Sequence, residues 1–311
     1  MFHAYGVMQS INLPPVLGSK VILMPRFIPR DFCAFIEKYK VREIATVPPV
    51  IVMLAKSELM DEFDLSSIDA VGCGAAPLGS DVQELFIKRM NEKRNGKPPV
   101  KMTQGWGMSE VTCSLLGFKA DENDLTGGVG YLNPNCEAKL IDEDGKEVTK
   151  PNERGELLVR GPNITKGYLN NPEATKETFD GDWLKTGDVA LVNEKGVFYI
   201  VDRRKELIKH GGFQVAPAEL ESVLLEHPSI IDAGVIGVEK NGNEYPRAYV
   251  VTNDKNLKPK EVADWMSKRV AKFKWLTGGV KFIPEIPKNP SGKILRRELR
   301  EIAKKEASPS L

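Results

Sequence analysis

A chain of 311 residues exceeds what one hydrophobic core usually organises, which points to two domains. Its 44 basic and 43 acidic side chains leave a net charge of +1, so no global field draws it to nucleic acid or an anionic membrane, and any polyanionic ligand must be held by a local cluster. Cys33, Cys73, Cys113 and Cys136 form neither a CxxC pair nor a metal-ligand spacing, no apolar run is long enough to span a bilayer, and neither end reads as a targeting signal, so reduced thiols in the cytosol are the simplest expectation.

From the start to about Glu110, short β-rich runs alternate with helical patterns, which predicts a layered α/β region with a largely parallel sheet. VILM (21–24), EIATVP (43–48) and SIDAVG (67–72) supply the strands. Residues 30–40 place Phe32, Phe35, Ile36 and Tyr39 on one helical stripe, and residues 79–94 place Val82, Leu85, Phe86 and Met90 on another, with Ser80 as the cap. Between about Gly128 and Arg203 the pattern changes to strands broken by turn signals, which predicts a β-rich subdomain of hairpins. Beyond Lys205 the chain returns to mixed elements, a small α+β domain with helices at 217–227 and 261–273 and strands at 230–239 and 247–253. The expected boundary therefore separates residues 1–204 from 205–311, and the basic run at 293–305 reads as a solvated helix.

Five stretches carry chemistry. GCGAAPLG (72–79) follows an apolar run as a glycine-rich loop follows a strand, and its small residues let a flat ligand approach the backbone; an ordinary tight turn is the even-odds alternative. QGWGMSE (104–110) sets an aromatic face that suits a purine beside a hydroxyl that suits a phosphate and a carboxylate that suits Mg²⁺. In WLKTGD (183–188) a carboxylate follows a glycine turn, where it could accept both hydroxyls of a ribose. DRRKELIKHGGFQ (202–214) gathers cations around a Gly-Gly pair, and NPSGK (289–293) places Lys293 where a mobile ammonium could reach a phosphate.

Together with FHAYG (2–6), GELLVRGPNITKGY (155–168) and the flanking residues VDRRKELIKHGGFQVAPAELE (201–221) and PKNPSGKILRREL (287–299), these pieces occur in the order and spacing of the adenylate-forming superfamily. The chain resembles AMP-forming acyl-CoA synthetases of the 4-coumarate:CoA ligase and luciferase type. The resemblance implies that Gly74, Ala75, Ala76, Gln104, Gly105, Trp106 and Gly107 frame the adenine of ATP or AMP and part of an acyl pocket, that Ser109 binds phosphate, and that Glu110 holds Mg²⁺. It implies that Asp188 and Arg203 bind the ribose, that Lys205 is a hinge, and that Lys293 stabilises the first transition state. Lys209, Gly211 and Gly212 belong by the same resemblance to the face that serves coenzyme A, with Gln214 beside them among the cofactor-contacting positions, and His3 gates the acyl site. Ala4, Tyr5, Gln9, Gly72, Cys113 and Ser114 also resemble pocket lining, which suggests an aromatic or medium-chain carboxylic acid as partner substrate.

The sequence departs from the pattern at Trp106, Ser109 and Gly211, where relatives have other residues, and no GxxxxGK[ST] or similar phosphate loop occurs in it. The expected N-terminal domain is thus an incomplete one, whose apolar face would associate with a partner, and ATP–pyrophosphate exchange by this chain alone is expected to be slow. The implied reaction joins a carboxylate to coenzyme A at the expense of ATP. A catalytically inactive binding module and an adenylation domain that loads a carrier protein are the alternatives.

Overall fold

Parallel strands cannot be joined by a tight hairpin, so each must return through a crossover. In the computed structural model, which describes residues 3–240, 242–289 and 292–307, Glu43–Thr46 (β1), Ala70–Cys73 (β2) and Lys101–Gln104 (β3) pair in parallel with β2 in the middle. Helices Pro48–Lys56 and Leu59–Glu62 make the first crossover and Ser80–Glu92 makes the second. Ile51, Leu54, Phe86 and Met102 are fully buried in the core of this layer.

The chain divides into two compact units, residues 1–200 and 201–311, with the division inside strand Phe198–Arg203. A second sheet, whose first strand crosses the division, runs Phe198–Arg203, Trp183–Val192, Gly155–Arg160, Glu137–Ile141, Glu147–Val148 in spatial order. Its inward residues Leu157, Val159, Leu184 and Ala190 enclose Val111, Leu115 and Leu116 from the loop after β3, so one core ties that loop to the β-rich layer.

The second unit is a sheet of Ile230–Lys240, Asn243–Thr252 and Gly279–Phe282, the first pair antiparallel and the second parallel. Alternation gives it two covered faces. Val235, Ala248 and Val250 pack with Leu220, Leu224, Val262 and Met266, whereas Ile236 and Tyr249 pack with Leu299 and Ala303.

Several expectations change. VILM is irregular and Val21 and Leu23 are exposed, because no strand among the described residues lies beside it to complete a ladder. Helix Pro29–Tyr39 buries Cys33 and Ile36 and exposes Tyr39, so its inward stripe is rotated from the one expected. Ser80 is not a cap: Gly79 holds that position, and the Ser80 hydroxyl turns to Asp81. Leu85 points to solvent on the same helix. The helix expected over 261–273 ends at Ser267, beyond which the chain makes only a short 3₁₀ turn. The C-terminal basic helix, Arg296–Ala307, is amphipathic rather than wholly solvated, because Leu299 and Ala303 complete a core.

Candidate functional site

Two loops at the carboxyl ends of β2 and β3 form the centre of the candidate site, which is where open α/β sheets present ligand-binding crevices. After β2 the backbone passes through Gly74, whose N–H donates to the Thr46 carbonyl at 3.1 Å, to Ala75, which sits in the left-handed region at φ 71°. An alanine in that region is held by its surroundings rather than by preference, a feature that concentrates at functional loops. Gly74 is buried, Ala75 exposed and Ala76 intermediate. The Tyr5 ring lies across this loop: its hydroxyl donates to the Gly72 carbonyl at 3.3 Å, and a Cβ on Gly74 would come within 3.5 Å of the ring. Burial pushes the Tyr5 phenol up and the Cys73 thiol beside it to about 12, so neither ionises near neutrality.

Gln104, at the end of β3, spends its side chain on the same loop. Its Oε1 accepts from the Leu78 N–H and its Nε2 donates to the Leu78 carbonyl, both at 2.9 Å and fully buried. Its role is therefore to shape the Gly74–Leu78 loop. Gly105 donates its N–H to the Cys73 carbonyl at 3.1 Å, which stitches the β2 and β3 loops together. Trp106 then bridges to Leu116 and sends its indole N–H to Asp188 Oδ2 at 2.9 Å, across 82 positions of sequence. Gly107 passes so close to the Cys113 backbone that a Cβ would fall 1.5 Å from its carbonyl oxygen, which only glycine permits.

Asp188 is buried in strand Trp183–Val192, and its backbone N–H donates to the Thr186 hydroxyl at 3.1 Å. The glycine before it marks a bulge rather than the expected turn: Gly187 has φ 73° and the pairing register with Gly155–Arg160 shifts between Lys185 and Val189. A bulge re-aims a side chain without ending the strand. Ser109 is exposed and Glu110 half-buried in the 3₁₀ turn Ser109–Val111, and the chain leaves that turn through Thr112 and Cys113 at φ 54° and 86°. Glu110 Oε1 accepts a hydrogen bond from the Tyr168 hydroxyl at 2.7 Å. No group of three or more His, Cys, Asp or Glu among the described residues is placed to hold a metal. A lone carboxylate of this kind fits Mg²⁺ that keeps water and phosphate oxygens as its other ligands, and does not fit a closed protein cage. His3 is exposed; its Nδ1 accepts from the Tyr5 N–H at 3.3 Å, capping the short helix Ala4–Val7.

The remaining expected residues lie in the second unit. Arg203 and Lys205 are exposed on a turn closed by the Glu206 N–H on the Arg203 carbonyl at 2.9 Å. Lys209 and Gln214 are paired across the hairpin Ile208–His210 and Phe213–Val215, and Gly211 and Gly212, at φ 58° and 81°, form its exposed two-residue tip. Lys293 is exposed in a loop where its N–H donates to Asn289 Oδ1 at 2.9 Å and its carbonyl accepts from the Asn289 N–H at 3.0 Å. Three residues on, Arg296 grips buried Glu221 with bonds of 2.8 and 2.7 Å. Sequence reasoning assigned no role to Tyr168 or Asn163, although both lie in the GELLVRGPNITKGY run it had singled out.

The chain is similar to known proteins over both units. The AMP-binding enzyme family model matches residues 1–169, and the AMP-binding enzyme C-terminal domain model matches residues 219–293. The chain is 43% identical over 306 residues to a probable 4-coumarate–CoA ligase 3 of Dictyostelium discoideum, covering 96% of this chain and 54% of that protein. It is 42% identical to the acyl-CoA ligase azaF of Aspergillus niger, covering 96% and 56%, and 42% identical to the luciferin 4-monooxygenase of Photinus pyralis, covering 96% and 54%. The chain thus spans about half the length of the curated relatives it matches. Among solved structures, the anthranilate CoA ligase AuaEII in complex with anthranoyl-AMP superposes with a TM-score of 0.88 at 25% identity, over 98% of this chain and 58% of that one. The o-succinylbenzoate CoA synthetase of Bacillus subtilis in complex with AMP gives 0.78 at 31% identity, over 96% and 59%.

Proposed function

We propose, since the chain belongs to the family of AMP-binding enzymes, that its first unit carries the nucleotide side of a carboxylate-activating site and that the reaction served is acid–thiol ligation. The observation that carries this reading is the convergence of the Gly74 loop, the Gly105–Gly107 loop and Asp188, locked together by the Trp106–Asp188 bond. A carboxylate and ATP give an acyl-adenylate and pyrophosphate; the thiol of coenzyme A then displaces AMP and leaves a thioester. The mixed anhydride makes AMP a good leaving group, so the protein's part is positioning and charge neutralisation.

Each residue has a stated part in that scheme. The loops after β2 and β3, bare of side chains at Gly74, Gly105 and Gly107, let an adenine lie against backbone. Buried Asp188 accepts the ribose hydroxyls while Trp106 holds its other face. Ser109 donates to phosphate, and Glu110 would hold Mg²⁺, which when bound neutralises phosphate charge. Tyr5, Cys113 and Ser114 line the acyl side, where an aromatic or medium-chain acid fits. The relatives' names support the ligase reading, and so does the anthranoyl-AMP carried by one structural neighbour. Arg203 at the ribose, Lys205 as hinge, Lys293 as the cation of the first step, and Lys209, Gly211, Gly212 and Gln214 at the thioester step stay with this proposal on the strength of the resemblance, as does His3 as acyl-site gate. So does association through the apolar residues near the start of the chain. No helix among the described residues is long and apolar enough to cross a membrane, and a cytosolic location is part of the proposal.

The test supplies the chain with preformed benzoyl-adenylate and coenzyme A and follows thioester and AMP together. Thioester formed faster than in a protein-free control supports ligation. AMP released with no thioester at any coenzyme A concentration contradicts it.

A further inference from the structure

The segment that follows strand Gly155–Arg160 runs against the Glu110 turn and is bonded to it repeatedly. The Thr165 N–H donates to the Glu110 carbonyl at 2.8 Å, Asn163 Nδ2 donates to the Val111 carbonyl at 2.8 Å, and the Thr112 hydroxyl donates to the Asn163 carbonyl at 2.6 Å. These bonds hold the left-handed pair Thr112 and Cys113 in place. The Tyr168 hydroxyl reaches further, to the Glu110 carboxylate itself.

We propose that Tyr168 is a positioning residue that sets the Glu110 carboxylate for a Mg²⁺ ion carried in with a nucleoside triphosphate. This rests on the nucleotide-binding function proposed above. An unrestrained glutamate samples several rotamers, and a metal must freeze one of them. A phenol that donates to Oε1 freezes the carboxylate beforehand and leaves Oε2 as the hard oxygen ligand. Tyr168 is itself fixed. Gly167 has φ 141° and passes where a Cβ would stand 2.6 Å from Thr175, and the Tyr168 N–H donates to the Thr175 hydroxyl at 2.9 Å. That hydroxyl in turn bonds the carbonyl of Asn171, the cap of helix Pro172–Thr178. A purely structural role is poorly matched to these facts. The backbone bonds already anchor the segment, and Tyr168 is 38% exposed, so it adds little burial.

The experiment measures ATP affinity of the full chain by calorimetry with Mg²⁺ and with Mg²⁺ removed by EDTA, for the unmodified chain, Tyr168→Phe and Glu110→Gln. Tyr168→Phe keeps the ring at an exposed position, so its melting temperature should stay near that of the unmodified chain. The expected result is a loss of roughly tenfold or more in the factor by which Mg²⁺ tightens binding, shared by Glu110→Gln, with metal-free affinity unchanged. Equal affinities for Tyr168→Phe and the unmodified chain, or equal losses with and without Mg²⁺, overturn the proposal alone. No ATP binding by the unmodified chain overturns the nucleotide-site reading and this inference with it.

Discussion

Glycine at position 107 is a packing requirement rather than a flexibility device. A Cβ there would overlap the Cys113 carbonyl, and neither backbone can retreat while Trp106 is paired to Leu116 and to Asp188. Gly107→Ala should therefore cost about 2–3 kcal/mol of the first unit's stability, as overpacking of a fixed interior does. Heat denaturation followed by fluorescence of Trp106 and Trp183 would register it; a melting temperature within a degree of the parent would show that the close passage is not maintained. At this scale the sequence was a partial guide. Gly74, Gly105 and Gly107 were singled out as framing a flat ligand and Asp188 as a ribose acceptor; that Gly107 abuts the Cys113 backbone and that Asp188 accepts from Trp106 could not be read from the sequence. Gln104 was legible only as a motif letter, since nothing in its neighbours along the chain shows that Leu78 consumes its amide. The Tyr168–Glu110 bond spans 58 positions and leaves no local trace.

At the scale of elements, helix Arg296–Ala307 and helix Pro217–Glu226 are joined by the Arg296–Glu221 pair, with both side chains almost removed from solvent. Glu221 Oε1 also accepts the Val235 N–H at 2.9 Å and Arg296 Nε donates to the Val235 carbonyl at 3.2 Å, so the pair reaches the central strand. Desolvation pushes Glu221 up to about 7, while the Arg296 charge pulls it down. Arg296→Met removes that pull and leaves a buried carboxylate without its counter-charge, at a cost of about 3–5 kcal/mol near pH 8. An acid whose folded pKa lies above its unfolded value binds more protons when folded, so stability falls as pH rises between the two values. The variant's folded pKa moves higher still, so its deficit should shrink as pH falls through that value toward 4.5. Amide exchange of residues 296–303 at pH 8 and pH 5 reads this directly, and an equal deficit at both would mean that Glu221 is not the group left uncompensated. The same helix shows where charge misled: its many cations suggested a solvated element, but Leu299 and Ala303, one turn apart, were enough to dock it. The WLKTGD strand shows a different limit, because a glycine inside an apolar run signals a turn and a bulge equally well.

For the whole molecule, layer composition and element order were legible because strand and helix periods differ so plainly. Strand VILM was not, because a strand exists only when its neighbours pair with it. Ile11, Val16, Leu17, Leu23 and Phe27 are all exposed within one stretch of the first unit, and among the described residues β1 has a strand on only one side. Exposed apolar residues and an unpaired strand edge each promote association. Replacing Val16, Leu17 and Leu23 together by lysine should reduce light scattering and hydrophobic-dye binding of the purified chain while leaving the second unit's melting unchanged. Unaltered dye binding would place the apolar surface elsewhere.

The proposed function has the first unit hold AMP through loops converging on Asp188, and titration of AMP into the chain and into Asp188→Asn is the sharpest check of it. The amide keeps the shape and its one oxygen can still accept from Trp106, but the NH2 that replaces the other oxygen can only donate, so both the charge and the acceptor for the ribose hydroxyls are lost. Hydrogen bonds to a charged acceptor are worth about 1.5–3 kcal/mol, so the variant should bind AMP at least about tenfold more weakly. Equal AMP affinity for the two proteins, each folded by circular dichroism, would mean that Asp188 does not hold the nucleotide.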